Sequence, residues 1–200
     1  MPNDGMTRAG LLVSQDGLPF AEATRVGIGW TAQTATLFAP LVAVPTTVAA
    51  LELWNNTTSG MNMVISDLFA MQVLSTAASQ TYAIYACVLV SKAVPTLTAL
   101  TINSLSGRAA YTSAVGSRVV TGVGTTVIAA GWRPWGNPQA WGTATATPGN
   151  AWNAAVDGKL IVPPGCGLAI HVVGALATAS TFQAGASWYE VSNTTYPAVA

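Results

Sequence analysis

Ionisable side chains are scarce in this chain: 7 basic and 7 acidic residues in 200, where an ordinary soluble domain carries about 25% charge to solvate its own surface. Much of the exterior must therefore be covered by something else: a bilayer, copies of the same chain, or a large assembly. Histidine occurs once and cysteine twice, which leaves neither the usual zinc arrangements nor a disulfide framework. The basic residues (Arg8, Arg25, Lys92, Arg108, Arg118, Arg133 and Lys159) stand singly, and the net charge is zero. No stripe tracks phosphates, so nucleic acid is not an expected partner.

Long uninterrupted apolar runs are missing too. The charge-free stretch Val26 to Leu51 is broken by Pro40 and Pro45, and Leu160 to Tyr189 holds Pro163-Pro164-Gly165 and His171. A spanning helix wants roughly 20 apolar residues without such breaks, and eight alternating barrel segments cannot be counted. No membrane is expected. The opening Met-Pro-Asn-Asp-Gly-Met-Thr-Arg has no basic segment leading into an apolar one, so no secretory leader is expected and the reading is synthesis in a reducing cytoplasm. Cys87, within an apolar strand, reads as a small buried hydrophobe.

What the chain does have is apolar bulk, 51% of residues, in patterns of period two. Thr81 to Ser91 alternates two apolar faces, with Tyr82, Ile84, Ala86 and Val88 on one and Ala83, Tyr85, Cys87 and Leu89 on the other. It predicts a strand covered on both sides. Thr47 to Trp54 sets Leu51 and Leu53 opposite Glu52. Met61 to Leu74 predicts a long strand bulged near Asp67, with a short helix capped by Ser66-Asp67 as the alternative. Lys159 to Val162 and Leu168 to Val173 flank the turn Pro163-Pro164-Gly165-Cys166-Gly167. Thr181 to Val191 turns Phe182, Ala184, Ala186 and Trp188 inward.

The expected fold is therefore all-β, a jelly-roll-like sandwich of about eight strands. Residues 1–45, rich in Gly, Pro, Thr and Ala, predict an extended N-terminal arm, and 46–200 the sandwich domain.

Chemistry is hard to place on this framework. His171 sits between Ile170 and Val172 on a predicted strand with no nucleophile motif to serve, and reads as a structural histidine. Seven dispersed carboxylates give no recognisable acid pair. Gly122-Val123-Gly124-Thr125 lacks the lysine and helix of a phosphate loop. No catalytic residue, cofactor or metal ligand is assigned, and the expectation is a non-enzyme. The one concentration is aromatic: Trp132, Trp135, Trp141 and Trp152, with Arg133 among them. Exposed indole faces stack on sugars, giving a glycan-binding reading. Packed indoles anchor a long loop onto the sandwich or an adjacent subunit, giving the structural reading that is preferred.

The segment Leu160-Ile-Val-Pro-Pro-Gly-Cys-Gly-Leu-Ala-Ile-His-Val-Val173, then Ser187-Trp-Tyr-Glu-Val191, resembles the head decoration or cement proteins of tailed bacteriophages, jelly-roll virion structural proteins. So does Leu51-Glu-Leu-Trp-Asn-Asn-Thr-Thr58, and the resemblance spans roughly residues 45–191. It implies a homo-oligomer, commonly a trimer, that binds the major capsid protein on the outer capsid surface and ties capsomers together, with no cofactor. The alternative is a receptor- or glycan-binding jelly roll of a head fibre or tail tip. The capsid shell protein itself is disfavoured, since that fold needs a longer chain with a long helix.

Overall fold

Side chains alternating along extended segments decide the architecture, because each strand must hide one face. The computed structural model describes residues 19–25, 27–46, 48–75, 80–89, 101–107, 119–121, 125–126, 131–141, 151–174 and 180–194. Along them run one short helix, α1 (Pro19–Arg25), and the strands β1 (Gly29–Gln33), β2 (Val48–Ala49), β3 (Leu51–Trp54), β4 (Met61–Ser75), β5 (Gln80–Leu89), β6 (Asn103–Ser104), β7 (Val119–Thr121), β8 (Thr125–Thr126), β9 (Arg133–Trp141), β10 (Ala151–Ala155), β11 (Ile161–Val162), β12 (Gly167–Gly174) and β13 (Ser180–Ser192). No helix among them is long and apolar enough to cross a membrane.

Two antiparallel sheets pack face to face. The first runs β10-β4-β13-β1-β6, with β11 also on β4; the second runs β7-β3-β12-β5-β9. Numbering the eight principal strands in chain order (β1, β3, β4, β5, β9, β10, β12, β13), the sheets hold 1-8-3-6 and 2-7-4-5. That is the jelly roll. The short strands β6, β7 and β11 extend the two sheets to eleven strands, and β2 pairs with β8 as a separate ribbon.

The core lies between the sheets. Leu51 and Leu53 of β3, Ile84 and Ala86 of β5, and Leu168, Ile170 and Val172 of β12 meet Ile65, Leu68 and Ala70 of β4 and Phe182, Ala184, Ala186 and Trp188 of β13. Each large side chain buried this way contributes roughly 1.5–3 kcal/mol. The expected bulge in β4 is present: Ser187 faces Asp67 while Trp188 faces Ile65, so Ser66 is the extra residue. Its carbonyl instead accepts the Val156 and Asp157 N–H groups. No helix forms there, because both flanks of Ser66-Asp67 are already paired to β13.

The expected division at residue 45 does not hold. Gly29–Gln33 forms β1, bonded to β13 along its whole length, and Ala32 and Phe38 are core residues. After β1 the chain crosses between the sheets, bonding first to β13 (Phe38 N–H to the Phe182 carbonyl, 3.0 Å) and then to β12 (Leu41 N–H to the Val172 carbonyl, 3.0 Å). Gly, Thr and Ala obscured this because β1 buries only small or single side chains. Residues 1–18 of the expected arm lie outside the described residues.

The Pro163–Gly167 segment is a turn, closed by the Cys166 N–H to the Pro163 carbonyl at 3.1 Å, with Gly165 at φ 79. It is not a hairpin: β11 before it belongs to the first sheet and β12 after it to the second. Asn55 fixes this corner. Its buried amide donates to the Met61 and Val162 carbonyls at 2.7 and 2.9 Å.

Neither β9 nor β10 is predicted from the sequence. Pro134, Pro138 and Gly136 disguise β9, which lies on the outside edge of its sheet, where a missing N–H is tolerated. An irregular register against β5 between Tyr82 and Ile84 accommodates Gly136 at φ 68.

Candidate functional site

The residues singled out in the sequence do not converge on one exposed site. Trp152 on β10 is buried in the core, edge-to-face with Phe182 at a centroid distance of 6.0 Å. Trp135 packs against the same core, half-buried. Trp132 packs on the opposite, outer face of the second sheet, against Ala49, Cys87, Leu89 and Ala169. The side chain of Trp141 lies outside the described residues. Arg133 is exposed at the start of β9 and borders a cleft of about 280 Å³ lined by Ala86, Cys87, Val88, Gly131 and Leu160. The three described indoles hold β9 and β10 onto the sandwich; they do not form a row of open stacking faces.

His171 is buried on the outer face of the second sheet. Its Nδ1 lies 2.9 Å from the Val172 carbonyl, which can only accept, so Nδ1 carries the proton. The ring stands edge-to-face against Phe38, centroids 5.2 Å apart. Burial lowers its pKa from 6.5, with the Val172 bond opposing. No nucleophile or carboxylate bonds to it among the described residues. Cys87 and Cys166 are free. Burial, and then the nearby Glu52, push the Cys87 thiol up to about 12, so it is inert as a nucleophile. No group of three metal-ligating side chains occurs among the described residues.

No family model, curated protein or solved structure matches this chain.

Glu52 is the residue the sequence did not reveal. Alternation places it opposite Leu51 and Leu53 and says nothing of what covers that side. In the fold that outer face is covered, and Glu52 is 2% exposed. Across β12 and β5 it shares the face with Ala169 and Cys87. Its Oε2 has no hydrogen-bond partner among the described residues, and burial raises its pKa from 4.5 to about 7.

Because the folded pKa is raised, Glu52 adds stability that is complete below pH 4.5 and is lost as pH climbs through about 7. Glu52→Gln should therefore match the wild type near pH 5 and exceed it at pH 8 by about 1–3 kcal/mol, measured by urea denaturation at both values. His171 acts with the opposite sign, its neutral form costing stability as pH falls below 6.5. Equal stability of the two proteins at pH 8 would mean that Glu52 is solvated.

The second notable surface is the crossing segment. Leu41, Val42, Ala43, Val44, Pro45 and Val48 line an open groove of about 290 Å³, and Val42 is 60% exposed. No charged residue occurs between Arg25 and Glu52.

Proposed function

We propose that this chain is a structural protein of the tailed-bacteriophage virion, of the capsid decoration or cement type and without enzymatic activity. It is made in the host cytoplasm, assembles with copies of itself, as trimers, and binds the major capsid protein on the outer capsid surface. The observation that carries this reading is the exposed apolar crossing segment, Val42, Val44 and Val48, on a jelly-roll body with almost no charge. The jelly roll is a recurrent virion architecture, although a fold alone does not fix function.

The magnitudes favour many weak contacts over one strong one. Burying the exposed parts of three valines contributes about 1 kcal/mol each. Association costs about 4–15 kcal/mol in lost freedom. A single docking event is therefore weak, whereas subunits linked in a ring and bound at several points on a lattice gain through effective concentration. The glycan-binding reading draws no comparable support, since Trp132, Trp135 and Trp152 turn their rings onto the protein.

The test is attachment to capsids. The double variant Val42→Glu/Val44→Glu should keep the wild-type melting temperature, because both sites are exposed. Its occupancy on purified heads, read by cosedimentation, should fall about tenfold or more. Undiminished occupancy would remove the crossing segment as the contact, and a wild-type protein that never cosediments would remove the function.

A further inference from the structure

The crossing segment closes into a loop on a single strand. At one end the Leu41 N–H donates to the Val172 carbonyl of β12 at 3.0 Å, and the Leu41 carbonyl accepts the Gly174 N–H at 2.8 Å. At the other end the Ala50 N–H donates to the Ile170 carbonyl of the same strand at 2.9 Å. The two ends therefore grip β12 on either side of His171. Between them Val42 and Val44 stand out into solvent, whereas Ala49 turns back onto the outer face of the second sheet. There it joins one buried cluster with Cys87, Leu89 and Ala169. Ala49 also belongs to the two-residue ribbon of β2 with β8.

That seat continues over a carboxyl group. Thr121, Glu52, Ala169 and Cys87 are successive cross-strand partners of β7, β3, β12 and β5, so Ala49 packs on the same row that holds Glu52. A carboxyl sealed from water, its Oε2 without a hydrogen-bond partner among the described residues, keeps its proton until water reaches it. The titratable groups sharing this face are Cys87, Tyr85 and His171. Burial holds Cys87 and His171 uncharged. Arg133 is exposed on β9, three strands along the sheet.

We propose that the loop from Leu41 to Ala50 is a pH-sensitive strap, seated on the second sheet while Glu52 is uncharged and lifted when it ionises. Lifting it breaks three backbone bonds to β12 and the short ribbon, while the strands beneath stay paired, so it is a smaller opening than unfolding the sandwich. Burial raises the Glu52 pKa from 4.5 to about 7, and an open strap returns the group to water. Opening is therefore favoured progressively from pH 4.5 and to the full extent above about 7. His171 opposes this on the acid side: its lowered pKa favours opening as pH falls below 6.5. The proposal goes beyond the decoration reading. Val42 and Val44 ride on the strap, so attachment through them would weaken as Glu52 ionises, but the device resides in the chain alone and its test needs no capsid.

Backbone hydrogen exchange on the full chain, expressed as protection so that the intrinsic pH dependence cancels, provides that test. Glu52→Gln and Glu52→Met both remove the ionisation and leave His171 in place, and each should keep the wild-type circular dichroism spectrum. At the Leu41 and Ala50 amides, protection in each variant divided by that in wild type should be near one at pH 4.5. At pH 8 it should reach about tenfold or more, under a ceiling of roughly 300-fold set by a shift from 4.5 to about 7. In wild type at pH 8 the same two amides should be about tenfold or more less protected than Val156, which bonds to Ser66 of the first sheet. Both results are required. A ratio that stays at one at pH 8 would mean that the loop opens without exposing Glu52. Equal protection at all three amides would mean that Glu52 acts on the whole sandwich. Either outcome overturns the strap and leaves the decoration reading standing.

Discussion

Phe182→Ala is expected to lower the stability of the sandwich by about 3–5 kcal/mol. Phe182 is fully buried and gathers rings from both sheets and the crossing segment. Tyr82 of β5 stands 4.7 Å away centroid to centroid, Trp152 of β10 6.0 Å, and Phe38 6.4 Å. Those neighbours cannot collapse into the space left behind. Tyr82 is tethered by its hydroxyl to Ser180 Oγ at 2.7 Å, and Ser180 also accepts the Gln72 amide at 3.1 Å. Phe38 is held by reciprocal backbone bonds to residue 182 itself. Urea denaturation would show the loss as a lower midpoint at constant slope. A loss under about 1 kcal/mol would mean that the rings do repack.

Gly185→Ala should cost about 3 kcal/mol by the opposite mechanism, overpacking. Gly185 lies on β13 between β1 and β4, facing Phe69. A Cβ there would come well under 3.0 Å from both the Ala32 carbonyl and the Phe69 ring. The ring can swing outward, since Phe69 is only half-buried. The carbonyl cannot retreat without loosening β1 from β13. Phe69→Ala in the Gly185→Ala background should therefore recover only part of the loss, and a double-mutant cycle of melting experiments would separate the two contributions. Full recovery would place the whole clash on the ring.

Much of the fold was legible, because burial wrote itself into period-two patterns. β5, β12 and β13 bury one face of Ile, Leu, Phe or Trp at alternate positions, and the sequence marks each of them. The Pro163-Pro164-Gly165 turn announced itself through fixed and positive φ, although its partners could not be read: a local turn looks alike whether it joins two strands of one sheet or two sheets. β1 escaped notice because it is short, it offers the core only Ala32 and the half-buried Trp30, and its main pairing lies at the far end of the chain. β9 escaped because edge strands tolerate proline, which in a sequence argues against a strand.

The candidate site was less legible. Glu52 was legible only as the residue opposite Leu51 and Leu53, since alternation reports which side of a strand a residue takes but not what covers that side. The tryptophans were visible as a cluster, yet their faces could not be. Trp132 and Trp135 sit three apart, close enough to read as one patch, and they pack on opposite sides of the second sheet.

The pairing of β1 with β13 has a consequence for biosynthesis. Trp30 meets Trp188, and Ala32 meets Ala186, across more than 150 intervening residues. While the polypeptide is still emerging from the ribosome, β1 has only the two-residue β6 to pair with, and the strand that must lie between it and β4 is the last of those described to be made. Sheet closure therefore waits for β13 and is dominated by distant contacts, which makes it slow. During that interval the nascent sandwich exposes its interior, with few charges to keep chains apart, and becomes a natural client for chaperones.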